Sequence, residues 1–301
     1  MADVLERTAT TDVADTAVGP HRGMWRRLAR RPGFVVPVGA LAVYAALAAL
    51  PGPIAGLFGN GDPRACDIGR SRRGPEPGHP FGFDVQGCDL FANVVHGARS
   101  SLVVGILGTA LALVLALLVG SLAGMGGRLV DGVLARLTDV FLGFPFLLGA
   151  VIVLNSVPER TPLTVALVLA LFGWPVMARV VRASVRAVWE EEYVQAARIM
   201  GAGRWYLVRR HVLPNALSPV LVLASSAVGG VIVAEAGLTF LGVGLRSPAI
   251  SWGLQLASAQ NVFQSSPHLL VFPSLFLVGA VLAFVQIGDV VRDVLDPKET
   301  R

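Results

Sequence analysis

The chain has 301 residues, of which 54% are hydrophobic and only 15% are charged, and its mean hydropathy is +0.65. Soluble globular, disordered and coiled-coil proteins carry more charge and less apolar surface, so the composition predicts a membrane protein. The net charge of +5 comes from arginine, and because Lys298 is the only lysine, a P-loop phosphate site and an interior Schiff-base lysine are excluded.

Residues 1–33 contain no long apolar run and end in a basic stretch. We predict a cytoplasmic tail whose basic end lies near anionic lipid. Arg30 and Arg31, which precede an apolar run, also fit a cleaved twin-arginine export signal, but the later hydrophobic runs would remain in the membrane after cleavage.

Six apolar runs of near-membrane length follow, uncharged except for Glu235 in the fifth, and they predict an all-α polytopic membrane protein with six transmembrane helices. Five is the alternative count, because only Pro158, Glu159 and Arg160 separate the third run from the fourth. The expected spans are residues 34–57, 102–125, 140–157, 163–177, 219–241 and 269–287.

These spans divide the chain into a cytoplasmic N-terminal tail (1–33), a first transmembrane helix (34–57), an extracytoplasmic loop (58–101), a transmembrane core (102–290) and a cytoplasmic C-terminal tail (291–301). The core includes a long cytoplasmic loop at 178–215. With this orientation, 18 of the 25 basic residues face the cytoplasm and 7 face outward. Because cytoplasmic loops are enriched in Lys and Arg, we predict that both termini are cytoplasmic.

Gly120 and Gly124 have the spacing of small residues that lets two helix backbones approach closely in lipid. This pattern fits packing within the chain, and it also fits a dimerisation face.

Charged residues in or near the spans are a second feature, since they are costly in lipid. Arg136 and Asp139 can pair locally on one helix. Glu235 is isolated, so it either lines a substrate path or anchors helices.

Cys66 and Cys88 are the only cysteines, and both fall in the outward-facing loop 58–101. An oxidising exterior permits a disulfide between them, which would stabilise the fold by about 3 kcal/mol through loop-closure entropy. Two free thiols are one alternative. A metal site that also uses His79 and His96 is another, although the spacing matches no known zinc pattern.

The cytoplasmic segment 178–215 contains a predicted short amphipathic helix that begins near three consecutive glutamates, Glu190 to Glu192. Gly201 is placed to end it and Pro214 to begin the next element. Its apolar stripe is expected to consist of Trp189, Tyr193, Ala196 and Met200. The pattern fits a helix that rests on the bilayer surface and equally a helix that docks onto a soluble partner.

The segment also carries an ordered motif, which is Gln195-Ala196-Ala197, then Gly201, then His211, and then Leu213-Pro214 followed by Asn215. It resembles the Glu-Ala-Ala…Gly…Leu-Pro signature of permease subunits of ATP-binding-cassette (ABC) importers, and the flanking His and Asn resemble the dipeptide/oligopeptide/nickel branch. Gln195 stands where that family usually has Glu, so a charge is lost while an acceptor oxygen is kept. Residues 79–103, 235–244, 251–253 and 288–297 are similar to C-type subunits of the same branch, although Cys88 occupies a position often held by Arg.

The resemblance implies a permease subunit that forms half of a translocation pore for peptides in the cytoplasmic (inner) membrane. It implies as partners a second homologous permease, two ATP-binding subunits that dock on the helix at 189–204, an extracytoplasmic substrate-binding protein and the lipid bilayer, with no nucleic acid. ATP and magnesium would bind the partner subunits, so no cofactor, metal or catalytic residue is expected here. The ATPase-coupling residues would be Glu191, Tyr193, Val194, Gln195, Ala196, Ala197, Gly201, His211, Leu213 and Pro214.

Three alternatives remain at this point. The same permease role for nickel or another small solute is the first. An ion-coupled secondary transporter is the second, but it predicts an inverted repeat and midplane acids, and the spans offer only Glu235. A membrane-embedded enzyme is the third, but the spans contain no HExxH or GxSxG arrangement.

Overall fold

The structure is a computed structural model that describes residues 32–59 and 61–295. The regular structure of these residues is helical, with three isolated β-bridges in the loop before the longest helix. The α-helices in chain order are α1 (Pro32–Ala49), α2 (Pro51–Ala55), α3 (Leu90–Met125), α4 (Arg128–Gly143), α5 (Phe146–Ser156), α6 (Pro162–Trp189), α7 (Glu192–Ile199), α8 (Arg204–Leu207), α9 (Leu213–Phe240), α10 (Trp252–Ala259) and α11 (His268–Leu295). Most of the expected N-terminal tail and residues 296–301 lie outside the described residues.

Four helical segments in the described part of the chain are long and apolar enough to cross a membrane, namely Leu90–Met125, Pro162–Trp189, Arg204–Phe240 and His268–Arg292. The helices α4 and α5 meet at a bend of 83° and make a fifth crossing if the bent pair is one span. The apolar part of α1, Gly33–Ala49, is shorter than these segments. The fold is therefore all-helical with four to five candidate spans.

Helix boundaries differ from the sequence expectation, because an uncharged run marks only the apolar part of a helix. The first expected span, residues 34–57, is divided between two helices, because α1 ends at Ala49 and α2 follows as a separate short helix. The helix α3 begins twelve residues before the expected span, since Asp89 caps it by accepting the backbone N–H groups of Phe91 and Ala92. The helix α6 continues to Trp189 and α11 to Leu295, so the expected loop at 178–215 and tail at 291–301 both begin with helix.

The central contact of the bundle is the pairing of α3 with α6. A Cβ added to Gly120 would lie 2.7 Å from the carbonyl oxygen of Ala178, and one added to Gly124 would lie 2.9 Å from that of Arg182. The two glycines thus allow backbone contact within one chain. The structure therefore supports the interpretation that the Gly120–Gly124 spacing serves packing within the chain, and a dimerisation face is not needed to explain it.

The loop between α2 and α3 folds back on itself before α3 begins. Asp89 accepts a hydrogen bond from the His79 ring through its second carboxylate oxygen, at 2.7 Å from Nδ1. The Asp84 side chain accepts the backbone N–H groups of Gln86 and Cys88 at 2.8 Å each. Burial raises the pKa of the Asp84 carboxyl, and these backbone hydrogen bonds oppose the shift.

Candidate functional site: the helix between α6 and α9

The motif found in the sequence lies on α7 and on the segment that joins it to α9. Glu191 precedes α7 with extended backbone angles, and the chain leaves the helix through Gly201, whose φ is +88°. The Gly201 N–H donates to the Arg198 carbonyl at 3.0 Å and the Ala202 N–H donates to the Ala197 carbonyl at 3.1 Å. This pair of bonds is a Schellman motif, so the predicted glycine cap is present.

The buried face of α7 differs from the predicted stripe. Val194 and Ala197 are buried, whereas Ala196 and Tyr193 are exposed. The stripe fails because α6 ends at Trp189, so this residue and Tyr193 do not share one continuous helix. Ile199 and Met200, which follow at the C-terminal end of α7, are not covered by other described residues, and 87% of Ile199 and 81% of Met200 is exposed.

Gln195 holds α7 against the end of α6. Its side-chain amide Nε2 donates to the Trp189 carbonyl oxygen at 2.8 Å. That carbonyl belongs to the last turn of α6, where carbonyl groups lack an intrahelical partner. An ionised glutamate at this position has no proton to donate. Gln195 therefore makes a hydrogen bond to the Trp189 carbonyl that a glutamate carboxylate cannot make.

The second half of the motif joins α8 to α9 through a π-helical turn, Val208–Val212. The Asn215 side chain donates to the His211 carbonyl at 2.6 Å and to the Tyr193 hydroxyl at 3.2 Å. Pro214 directly follows this turn within the continuous helical segment Arg204–Phe240, and Leu213 before it is half-buried. The structure therefore brings the two halves of the motif together.

Arginines surround this helix and tie it to α3. The guanidinium groups of Arg198 and Arg204 lie 6.0 and 5.8 Å from the Trp189 ring centroid. Arg204 also donates to the carbonyl of Met125, the last residue of α3, at 2.5 Å. The end of α3, the start of α4 and the α7–α8 segment consequently lie at the same end of the bundle.

Glu235 lies far from this site and is completely buried. Its Oε1 accepts the hydroxyl groups of Thr239 at 2.9 Å and Ser251 at 3.2 Å, and its Oε2 accepts that of Ser101 at 3.2 Å. The three hydroxyls belong to α3, α9 and the N-terminus of α10. None of the described residues forms an ion pair with Glu235.

The two cysteines are joined in the loop before α3, with the sulfur atoms at bonding distance. His79 bonds to Asp89 instead, and the His96 ring bonds to the Ala92 carbonyl within α3. Among the residues that the structure describes, no group of three or more His, Cys, Asp and Glu side chains is arranged to hold a metal ion. The four-ligand alternative with His79 and His96 is therefore not formed.

The expected local pair of Arg136 and Asp139 is wrong. Asp139 accepts from Arg179 of α6 at 2.7 Å instead, and Arg136 is exposed. A second ion pair, which the sequence did not indicate, joins Asp131 of α4 to Arg182 of α6 through two hydrogen bonds. Residues about 40 to 50 positions apart pair here because α4 and α6 lie side by side, and no local spacing predicts such a contact.

Residues 116–301 match the family whose description is "Binding-protein-dependent transport system inner membrane component". The match covers more than half of the chain, including the motif on α7. The chain belongs to this family. As a family member it is a multi-pass inner-membrane permease component of an ABC importer, in which the ATPase lies on partner subunits, so it is not the catalytic subunit.

Named relatives align along nearly the whole length of this permease component. The dipeptide transport system permease protein DppC of Alkalihalophilus pseudofirmus is 33% identical over 284 residues, which cover 94% of this chain and 91% of that protein. The glutathione transport system permease protein GsiD of Pectobacterium atrosepticum is 34% identical over 285 residues, which cover 93% and 91%. These relatives place the chain in the peptide branch of the permease family.

Solved structures support the fold at lower identity. A chain of the MetNI methionine ABC transporter in an inward-facing conformation has a TM-score of 0.57 and 18% identity, and it covers 68% of this chain and 96% of that chain. A chain of an amino acid ABC transporter has a TM-score of 0.53 and 17% identity, with 67% and 94% covered. At this identity the likeness concerns the fold of the permease core.

Proposed function

We propose that this permease component forms one half of the translocation pore of an ABC importer for di- and oligopeptides, and that α7 couples it to the ATPase subunits. The observation that carries the proposal is the family motif on a short helix with protruding apolar side chains. Ile199 and Met200 have no partner within the described chain that would bury them. Apolar side chains exposed beside arginines are typical of a protein interface.

The docking role is favoured over a helix that rests on the bilayer. An interfacial helix turns one apolar face toward lipid and a charged face toward water. In α7 the apolar residues Val194 and Ala197 face the protein, and Arg198 is exposed beside Ile199. A partner cleft that takes the exposed end of α7 accounts for this arrangement, and two ATP-binding subunits with ATP and magnesium are the partners proposed.

The proposed topology has six crossings and cytoplasmic termini. The crossings are α1, α3, the bent pair α4 and α5, α6, α9 and α11, so that α7 lies between the fourth and fifth on the cytoplasmic side. The arginine distribution in the sequence supports this orientation. The loop before α3, with Cys66 and Cys88 as a disulfide, would then face the outside, where a substrate-binding protein delivers the peptide to this subunit and a second homologous permease.

The coupling role is tested with the importer reconstituted from both permeases, both ATPase subunits and the binding protein. We expect Ile199→Glu and Gly201→Trp to insert normally but to lower uptake of labelled dialanine per ATP hydrolysed by about tenfold, the effect of losing about 1.4 kcal/mol of docking energy. Ile68→Glu is the matched control, because 76% of Ile68 is exposed, close to the value for Ile199, but Ile68 lies in the loop before α3. Wild-type coupling in both α7 variants would contradict the docking role.

The substrate class is tested separately by competition. Uptake of labelled dialanine by the same complex should be reduced by unlabelled tri- and tetra-alanine and unaffected by nickel chelates. The opposite pattern would assign the permease to nickel or another small solute while leaving the coupling result intact.

A further inference from the structure

The helix α4 packs on α6 near its C-terminal end, where the Phe141 ring contacts those of Phe172 and Trp174. Within α4, which the structure describes completely, Thr138 is the only buried residue, and 5% of it is exposed. Leu129, Val133, Leu137 and Val140 are exposed and recur along one side of the helix. In lipid, exposed apolar side chains neither hold nor release a helix, because packing and polar contacts between helices fix its place. The first half of α4 has no buried residue, so polar contacts are its main attachment.

Two ion pairs attach the other side of α4 to α6. Arg182 donates to Asp131 from Nε at 2.5 Å and from Nη2 at 2.7 Å, a bidentate pair. Arg179 donates to Asp139 at 2.7 Å. The two carboxylates are eight residues apart on α4, about 12 Å along the helix axis. Two contacts at this separation fix the orientation of the α4 axis relative to α6 as well as the distance between the two helices.

The two pairs are not equivalent. The Asp131 and Arg182 side chains are 21% and 36% exposed, whereas those of Asp139 and Arg179 are 48% and 59% exposed. A bidentate pair that is partly shielded from water holds its geometry better than a single bond at the surface. The Asp131–Arg182 pair is therefore the stronger attachment.

The same stretch of α6 leads directly to the proposed docking helix. Arg182 lies seven residues before Trp189, about 10 Å along the axis, and Trp189 accepts the Gln195 hydrogen bond that holds α7. A displacement of α7 by a docked ATPase subunit is thus passed to the end of α6. No residue in the first half of α4 is buried, so this half is carried with α6 only as long as the Asp131–Arg182 pair holds.

We infer that Asp131 and Arg182 are positioning residues that make α4 move as one unit with the cytoplasmic end of α6. The exposed apolar side of α4 then changes its place whenever the ATPase subunits move α7. This inference rests on the proposed coupling role of α7.

The experiment measures the distance between α4 and α6 in the complete reconstituted importer. Spin labels are attached to Val133→Cys and Ala187→Cys, two exposed positions, in a background that carries Cys66→Ser and Cys88→Ser. With the native ion pairs we expect one narrow distance distribution that is the same in the nucleotide-free complex and in the complex trapped with ATP and vanadate.

Asp131→Asn should broaden that distribution, make it differ between the two states and lower the coupling ratio by about fivefold, the factor for roughly 1 kcal/mol. The charge swap Asp131→Arg with Arg182→Asp should restore the narrow distribution and most of the coupling. Asp139→Asn is the matched control for the more exposed pair and should have a smaller effect. An unchanged distribution in Asp131→Asn, or a swap that stays as broad as the single variant, would overturn the inference.

Ile199→Glu is measured in parallel to separate the inference from the proposed function. If Ile199→Glu uncouples the importer while Asp131→Asn does not, the attachment of α4 is not part of coupling and only the inference fails. If neither variant changes coupling, the docking role of α7 fails as well.

Discussion

A single buried carboxylate, Glu235, joins three helices of the permease. Each hydroxyl that donates to it also accepts a backbone N–H, from Trp252 for Ser101, from Leu245 for Thr239 and from Leu254 for Ser251. The group is therefore fully hydrogen-bonded within the protein. This arrangement supports an anchoring role for Glu235 over a pore-lining one, because no part of the side chain is accessible.

Replacing Glu235 by Ala should destabilise the subunit by about 3 kcal/mol, since three buried hydroxyls lose their acceptor and a cavity forms. The measurement is thermal unfolding of the detergent-purified protein. Asp289→Ala is the control, because Asp289 is an exposed acid on α11. A Glu235→Ala protein as stable as the control would contradict the anchoring role.

Gln195 is the second residue whose role depends on one hydrogen bond. Gln195→Met keeps the side-chain length but removes the donor to the Trp189 carbonyl, which should cost about 1 kcal/mol. Backbone amide exchange at residues 190–200 should then become about fivefold faster. Ala196→Met, a change at the exposed neighbouring position, should leave the exchange rate unchanged. Equal rates in both variants would mean that the bond to Trp189 does not hold α7.

At the scale of elements, the contact between α3 and α6 depends on the absence of side chains at two positions. Gly120→Leu should separate the helices and destabilise the subunit by about 2 kcal/mol or prevent insertion, because the carbonyl of Ala178 and the side chain of Val181 occupy the space. Gly132→Leu is the matched control, since nothing lies within 4 Å of a Cβ at Gly132 on α4. The yield and unfolding temperature of the two variants measure the difference, and similar values would contradict close α3–α6 packing.

The helices themselves were largely predictable, and their ends were not. Long apolar runs identified the apolar parts of α3, α6, α9 and α11 because a run of that length has few other structures available in lipid. The ends depend on caps and turns outside those runs, such as Asp89 before α3. The motif on α7 was read correctly for its glycine cap but not for its buried face, which depends on where α6 stops.

For the whole molecule, topology and the state of the cysteines are tested together by thiol labelling in intact cells that express the permeases without the ATPase subunits. A membrane-impermeant maleimide should label Gly74→Cys from outside and should label Gly203→Cys only after the cells are opened. Both positions have free space for a side chain. The native chain should take no label if Cys66 and Cys88 are bonded, and it is the control for both variants.

Labelling of Gly203→Cys in sealed cells would reverse the proposed orientation. Labelling of the native chain under denaturing, non-reducing conditions would show free thiols and would contradict the disulfide.

The sequence by itself determined that this chain is a helical membrane protein with the motif of the ABC permease family and no ATP site of the P-loop kind, because composition and local spacing act without regard to the rest of the fold. Tertiary structure decided which charges meet. Asp139 pairs with Arg179 rather than Arg136, and Asp131 pairs with Arg182, because α4 and α6 are brought side by side. It also decided that Gly120 faces α6 and that Glu235 is buried, since the neighbours of a side chain come from distant parts of the chain.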